Sequence, residues 1–193
     1  MISETGERRW VTVEADEEAV ARLAGELAIP DQIARILVSR GMADADQARV
    51  YLQPQLSHLS DPFLFPDMRK AVERLWRAIN GRECIVVFGD YDADGITSTA
   101  LLVTVLNELG ANTHAFLPSR HTDGYGLTPA ALERCLAGRP VGLIVTVDCG
   151  TGSCEAVEQA AARGIDVIVT DHHEAPRHVA PALAVINPKL ASR

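Results

Sequence analysis

Apolar residues along the chain follow two different periods, and the change falls near residue 84. Before it the spacing is helical. Val20, Leu23, Ala24 and Leu27 stand at i, i+3, i+4 and i+7, and Ile33, Ile36 and Leu37 keep that period up to Gly41, which sits where a helix C-cap belongs. Asp44 followed by Gln47 has the form of a capping box, opening a short helix that must stop before Pro54. The stretch QPQLSHLSDPFLFP, residues 53 to 66, holds three prolines and little periodicity, so it is expected as a connecting arm packed by Leu56, Leu59, Phe63, Leu64 and Phe65. Beyond Pro66, the residues Ala71, Val72, Leu75, Trp76 and Ile79 predict a helix of about three turns closed by Gly81.

From residue 84 onward, short β-branched runs alternate with helical stretches: CIVVFG, TSTALLVTVLNEL, NTHAFL, PAALERCLA, GLIVTV, CEAVEQAAARG, DVIVT and LAVIN. Strands that are apolar throughout and separated by helices imply βαβ units, because both faces of the sheet must be covered. The expected class is therefore α/β, a doubly wound and mainly parallel sheet preceded by an α-helical N-terminal arm. No internal repeat or low-complexity segment is visible.

Composition narrows the classes that remain. Hydrophobic residues make up 47% of the 193, yet no run approaches a membrane span and the opening MISETGERRW lacks an apolar core, so a cytoplasmic protein with no membrane partner is expected. Cys84, Cys135, Cys149 and Cys154 form no CxxC pair and have no histidine at zinc-finger spacing, which favours reduced thiols. The net charge of −8 argues against a nonspecific nucleic-acid surface but is compatible with a metal site, since clustered carboxylates are what a divalent cation requires.

Acidic clusters end three of the expected strands: Asp90, Asp92 and Asp94 after CIVVFG, Asp148 after GLIVTV, and Asp171, His172 and His173 after DVIVT. In an open parallel sheet the carboxyl ends of the strands form the ligand crevice, so the clusters converge if those strands are neighbours. So many carboxylates without basic neighbours repel one another, and something positive must offset them. Carboxylate oxygens with one or two imidazoles suit Mn²⁺ or Mg²⁺ better than Zn²⁺. Two such ions can activate a water and stabilise the leaving oxygen of a phosphodiester.

Each cluster taken alone has a plainer explanation. Asp148 at a strand-to-helix turn has the form of an N-cap, and Asp-His-His that of a solvated turn. DYDADG also opens like an EF-hand loop, but the twelfth position is Leu101 and a strand precedes it. Gly89 and Gly95 form no GxGxxG, and no P-loop lysine follows.

The segments DYDADGITSTALL, SRHTDGYGL, VTVDCGT and VTDHH, in this order and spacing, resemble the successive motifs of the RecJ branch of the DHH phosphoesterase superfamily. The likeness continues upstream through ILVSRGMADADQARVYLQPQLSHLSDPFLFPDMRKAVERLWRAI and downstream to VINPK. It implies a helical arm over residues 1–80 and a DHH domain over 81–193, with a last metal-ligand motif and a second domain expected beyond residue 193. It also implies 5′-to-3′ degradation of single-stranded DNA to mononucleotides, in recombination and repair, with two Mn²⁺ or Mg²⁺ ions. A single-stranded-DNA-binding protein and a helicase are the candidate protein partners.

Carried over residue by residue, the resemblance makes Asp92 and Asp94 ligands, Asp148 the bridging carboxylate, and His172 an imidazole ligand. Asp171 orients or joins that shell, His173 contacts the scissile phosphate, and Asp90 is either a ligand or a hydrogen-bonding support. Arg120 with the loop Gly124, Tyr125 and Gly126 is a candidate phosphate contact, a plain turn being the alternative for the loop. Two positions depart from the pattern. Phe88 stands where some relatives carry a metal-binding histidine, and Cys149 where asparagine is common; that thiol is either a metal donor or a small buried residue. The rival readings are a DHH phosphoesterase for oligonucleotides, cyclic dinucleotides or pyrophosphate, and a non-enzymatic scaffold of replication complexes.

Overall fold

The computed structural model describes residues 13–119 and 123–190. By internal contacts the chain divides into two compact units, Met1–Ser60 and Asp61–Arg193.

The first unit is helical. Helix α1 (Glu17–Leu27) is capped by the Asp16 carboxylate, which accepts from the amides of Glu18 and Ala19, and helices α2 (Asp31–Ser39) and α3 (Ala45–Leu52) follow. Asp44 caps α3 by accepting from the Gln47 amide, as its spacing predicts. Val20, Leu23 and Ala24 of α1 pack with Ala34 and Leu37 of α2 and with Ala48 of α3. Ile33 and Ile36 lie on the exposed side of α2, so the buried stripe runs through Ala34 and Leu37 instead. The small alanines at 34 and 48 let the helices approach closely, a preference that hydrophobicity alone does not reveal.

The connecting arm also differs from expectation. Leu56 (87% exposed), Leu59 (73%), Phe63 and Leu64 project outward from two 3-10 turns, Leu56–His58 and Pro62–Leu64, and of the expected anchors only Phe65 packs against a core.

In the second unit, helix α4 (Met68–Asn80) precedes β1 (Cys84–Phe88), α5 (Ala93–Glu108), β2 (Asn112–Phe116) and α6 (Pro129–Leu136). Then come β3 (Val141–Val147), α7 (Cys154–Ala162), β4 (Asp166–Thr170) and β5 (Ala184–Ile186). Among the described residues the strands form one parallel sheet in the order β2-β1-β3-β4-β5. The doubly wound α/β class is thus observed. The two faces are separate cores, because successive side chains of a strand alternate sides. Val86, Phe88, Ile144, Val167 and Val169 pack against α6 and α7, while Ile85, Val87, Leu143, Val145 and Ile168 pack against α4 and α5. Each of these side chains contributes about 1.5–3 kcal/mol by its burial.

Helix α4 belongs to this unit, so its boundary lies after Ser60 rather than after residue 80. The reason is packing: Ala71, Leu75, Ala78 and Ile79 join the core beneath the sheet, whereas Trp76 is exposed. Arg74 is buried, its guanidinium bonded to Glu83 at 2.6 Å, Asp166 at 2.5 Å and the Gly142 carbonyl at 3.1 Å. One cation thereby ties α4 to the amino ends of three strands. Arg74→Met keeps the aliphatic stem but leaves Glu83 without its cation and Asp166 with Arg77 alone, at 3.1 Å. Because those partners are about a third exposed, the expected loss is at the low end for a broken buried pair, about 3 kcal/mol, read by urea unfolding.

Candidate metal centre

Strand order determines where chemistry can collect. The chain leaves β1 outward to β2 and returns across it to β3, so the helices after β1 and β2 lie on opposite faces and a crevice opens at the carboxyl ends between β1 and β3. Register then aligns the site. Phe88 pairs with Thr146, Val147 with Thr170, and Thr170 with Ile186, which puts Asp90, Asp148, Asp171 and Asn187 at one level just past four adjacent strands. The ladder extends into that row, the Asp148 amide donating to the Thr170 carbonyl at 2.9 Å and the Asp171 amide to the Ile186 carbonyl at 3.0 Å.

After β1 the chain enters α5 directly, with Asp92 as its N-cap accepting from the Gly95 amide at 2.9 Å. Gly95 allows this turn to sit on the strand end, since a Cβ there would lie 2.4 Å from the Asp90 nitrogen. After β3 the turn is tight: Thr146 Oγ1 donates to the Cys149 carbonyl at 2.7 Å, and Asp148 takes the left-handed φ of 63°. Such a backbone costs a non-glycine residue about 1–3 kcal/mol and persists where its surroundings hold it. Asp148 is not an N-cap. Cys149, behind it, is fully buried in the core, and burial pushes its thiol up, which favours the buried small residue over the metal donor.

Asp90, Asp92 and Asp148 each offer an oxygen, all within 4.8 Å of one another, and Asp148, His172 and His173 form a second group on the same criterion. Asp148 is common to both. Its Oδ1 lies 2.8 Å from His172 Nε2, while its buried Oδ2 has no hydrogen-bond partner among the described residues. No lysine or arginine among them pairs with any of these carboxylates.

Burial first, and then the facing Asp92, push the Asp148 carboxyl above its ordinary range. Asp92 is held low, chiefly by the Gly95 amide. Asp171 behaves oppositely to Asp148: burial would raise it, but donors from Thr151 and His173 outweigh burial and hold it low. The Asp171 bond to His173 Nδ1, at 2.8 Å, raises that imidazole's affinity for a proton.

A cation fits this donor set. A buried carboxylate oxygen that, among the described residues, has no donor and is faced by two further carboxylates and an imidazole and by no fixed positive charge is a position that a divalent ion would neutralise. All-oxygen and imidazole donors suit Mn²⁺ or Mg²⁺.

Of the other expected residues, Asp94 stands at the rim, 73% exposed and 4.0 Å from His172 Nε2, outside both groups. His173 joins the second group instead. Tyr125 reaches the site, its hydroxyl 3.3 Å from His173 Nε2 and its ring edge-on to Tyr91 and His173. Gly124 and Gly126, at φ 79° and 71°, supply the turn that presents it. Arg120 lies outside the described residues. Unanticipated from sequence are Gly95, the Asp123–Arg134 pair under the Tyr125 loop, and Thr151 with Asn187 behind the histidines. Beside the carboxylates a cleft of about 500 Å³ runs along α5, lined by Thr97, Ser98, Leu101 and Val147.

Carboxylates and imidazoles at the switch point of a parallel sheet form a donor set suited to a divalent cation on a doubly wound domain, and residues 84–193 match the model of the DHH family, N-terminal domain. The chain belongs to that family. It is 36% identical over 181 residues to the single-stranded-DNA-specific exonuclease RecJ of Bacillus subtilis, covering 94% of this chain and 23% of that protein. With the protein of the same name from Escherichia coli it shares 41% over 178 residues, covering 92% of this chain and 29% of the other. The crystal structure of RecJ in complex with Mn²⁺ from Thermus thermophilus superposes with a TM-score of 0.65 at 31% identity, over 93% of this chain and 24% of that one. The chain therefore spans about a quarter of the length of the relatives it matches.

Two outcomes follow for the metal-free protein. A carboxyl whose folded pKa exceeds its unfolded value lowers stability at pH above that range, and the penalty disappears as pH falls through the folded value. Asp148→Asn removes the charge and tolerates positive φ better, so it is expected to stabilise the metal-free chain at neutral pH by about 1 kcal/mol while abolishing divalent-cation binding. Thermal unfolding and calorimetry read the two effects. Gly95→Ala is expected to destabilise by about 1–3 kcal/mol, through overpacking against Asp90, and to weaken cation binding as Asp92 is displaced.

Proposed function

We propose that this chain carries the metal centre of a 5′-to-3′ single-stranded-DNA exonuclease that hydrolyses phosphodiesters to mononucleotides. The observation that carries the reading is Asp148, which belongs to both ligand groups and whose buried Oδ2 has no hydrogen-bond partner among the described residues. The relatives named single-stranded-DNA-specific exonuclease, one of them solved with Mn²⁺, support it.

Asp90, Asp92 and Asp148 would hold one Mn²⁺ or Mg²⁺, and Asp148 with His172 a second, with Asp94 completing the rim. Bound there, the cations supply Lewis-acid stabilisation of the phosphoryl oxygens and ease deprotonation of the attacking water. The remaining work falls to the chain. His173 is oriented through Nδ1 by Asp171 and has Nε2 beside the Tyr125 hydroxyl; in its protonated form Nε2 donates to a phosphate oxygen. Tyr125 steadies that ring and borders the entrance, with Arg120 and the Gly124–Gly126 turn as further phosphate contacts. The cleft along α5 has the volume for one nucleotide. On the same reading the enzyme acts in the cytoplasm in recombination and repair, with a single-stranded-DNA-binding protein and a helicase supplying single strands.

Mn²⁺ titration is expected to give saturable heat with the chain and none with Asp148→Ala, whose circular dichroism stays native. In the longest form of the protein that carries this chain, 5′-labelled single strands should release labelled mononucleotide from the outset, and the same substitution should lower kcat by at least about 10³-fold. Activity confined to dinucleotides would replace the exonuclease reading with that of a small-substrate phosphoesterase. Wild-type turnover by Asp148→Ala at saturating Mn²⁺ would overturn the metal-centre reading itself.

A further inference from the structure

The end of β5 bears no acid, histidine or nucleophile, yet it closes the row of strand ends that holds the carboxylates. Asn187, the residue that follows β5, is 2% exposed and its side chain is fully engaged. Nδ2 donates to Thr151 Oγ1 at 2.9 Å and to the His173 carbonyl at 3.1 Å, and Oδ1 accepts from the Lys189 amide at 2.9 Å. Two acceptors on one side and a donor on the other leave a single orientation for the amide.

That orientation dictates the rest of the chain of bonds. Because the amide donates to Thr151 Oγ1, the threonine proton is directed to its other neighbour, Asp171 Oδ2, at 2.7 Å, and the Thr151 amide donates to the same oxygen at 3.1 Å. With Oδ2 so held, Oδ1 is left to accept from the His172 amide at 2.8 Å, the His173 amide at 3.1 Å and His173 Nδ1 at 2.8 Å. Both histidines are therefore set by one carboxylate, and that carboxylate is set by Thr151 and Asn187. Thr151 is itself 2% exposed, and its carbonyl accepts from the Ala180 amide at 2.8 Å, which ties the loops after β3 and β4 together.

We propose that Thr151 and Asn187 are positioning residues for the histidine pair, acting through Asp171 to hold His172 Nε2 against Asp148 and His173 Nε2 toward the Tyr125 hydroxyl. Neither touches the reacting atoms. Their effect on turnover rests on the metal-centre reading given above, but their effect on the histidine loop does not. Groups that orient a ligating imidazole commonly change metal affinity or activity by about 10- to 100-fold when removed.

Thr151→Val preserves volume and removes the hydroxyl. It is expected to weaken Mn²⁺ binding by about 10- to 100-fold in calorimetry, and to lower kcat with KM for single-stranded DNA unchanged. In the metal-free chain it should speed amide hydrogen exchange at His172 and His173 while strand amides of β1 and β3 stay protected. Thr151→Ser, which keeps the hydroxyl, should restore all of these. A folded Thr151→Val with wild-type affinity and wild-type exchange at the two histidines would refute the assignment. So would a Thr151→Ser as weak as the valine variant, since the methyl and not the hydroxyl would then matter. Should Thr151→Val fail to fold, Asn187→Asp replaces the donating amide with acceptors facing Thr151 Oγ1 and the His173 carbonyl. The same weakening is expected from it, and wild-type affinity would count against the proposal. If the unsubstituted chain takes up no Mn²⁺, the metal-centre reading fails, and the metal-free exchange measurement still decides the positioning role.

Discussion

Four neighbouring parallel strands end at one level, and the residues just past them are Asp90, Asp148, Asp171 and Asn187. Nearly everything distinctive about the second unit follows from making that row tolerable. Asp90 and Asp148 are buried, Asp92 faces them, and no described lysine or arginine pairs with them. Repulsion among these carboxylates, two of them buried, is a cost that a divalent cation bound between them would remove. The left-handed backbone at Asp148 adds to that cost. The strands and two apolar cores on either side stabilise the platform that bears it.

How much of this was readable beforehand depended on how far apart in the chain the cause lay. Strand runs such as CIVVFG and GLIVTV are fully apolar because both faces are covered, and that local signal sufficed for the sheet, its parallel sense and its class. The position of Asp148 and Asp171 at strand ends was legible for the same reason. Their meeting was not, because it depends on the strand order β2-β1-β3-β4-β5, which no short segment encodes. The helical unit shows the converse failure: Ile33 and Ile36 fit the helical period as well as Leu37 does, but small side chains at Ala34 and Ala48 set the contact, and size is invisible to a hydrophobicity pattern. Leu56, Leu59 and Leu64 are expected to pack because they are apolar, yet they project outward from the 3-10 turns or the residue beside them.

The site's supporting residues were hidden for a third reason. Thr151 and Asn187 are ordinary loop residues by type, separated by 36 positions, and become informative only when the structure shows them buried with every side-chain polar atom hydrogen-bonded. Arg74 is similar, an arginine on an amphipathic helix whose buried side is revealed only by Glu83 and Asp166. Sequence exposes the groups that do chemistry because their types are unusual at strand ends. It conceals the groups that aim them, because their types are common everywhere.

Asp148 and Asp171 make the point most directly. They are the same residue type at the same level of adjacent strands, and both are largely buried, yet their carboxyls are shifted in opposite directions. The difference lies in the donors. Asp171 receives Thr151 through both amide and hydroxyl, the amides of His172 and His173, and His173 Nδ1, so its charge is spent inside the protein. Asp148 receives one imidazole and, among the described residues, keeps an oxygen without a donor. A carboxylate already satisfied by protein donors has little to offer a cation, whereas one left unsatisfied and desolvated has the most to gain from it. On the proposed reading the two aspartates divide the work between orientation and ligation, and the hydrogen-bond donors around each, more than its place in a motif, decide which it does.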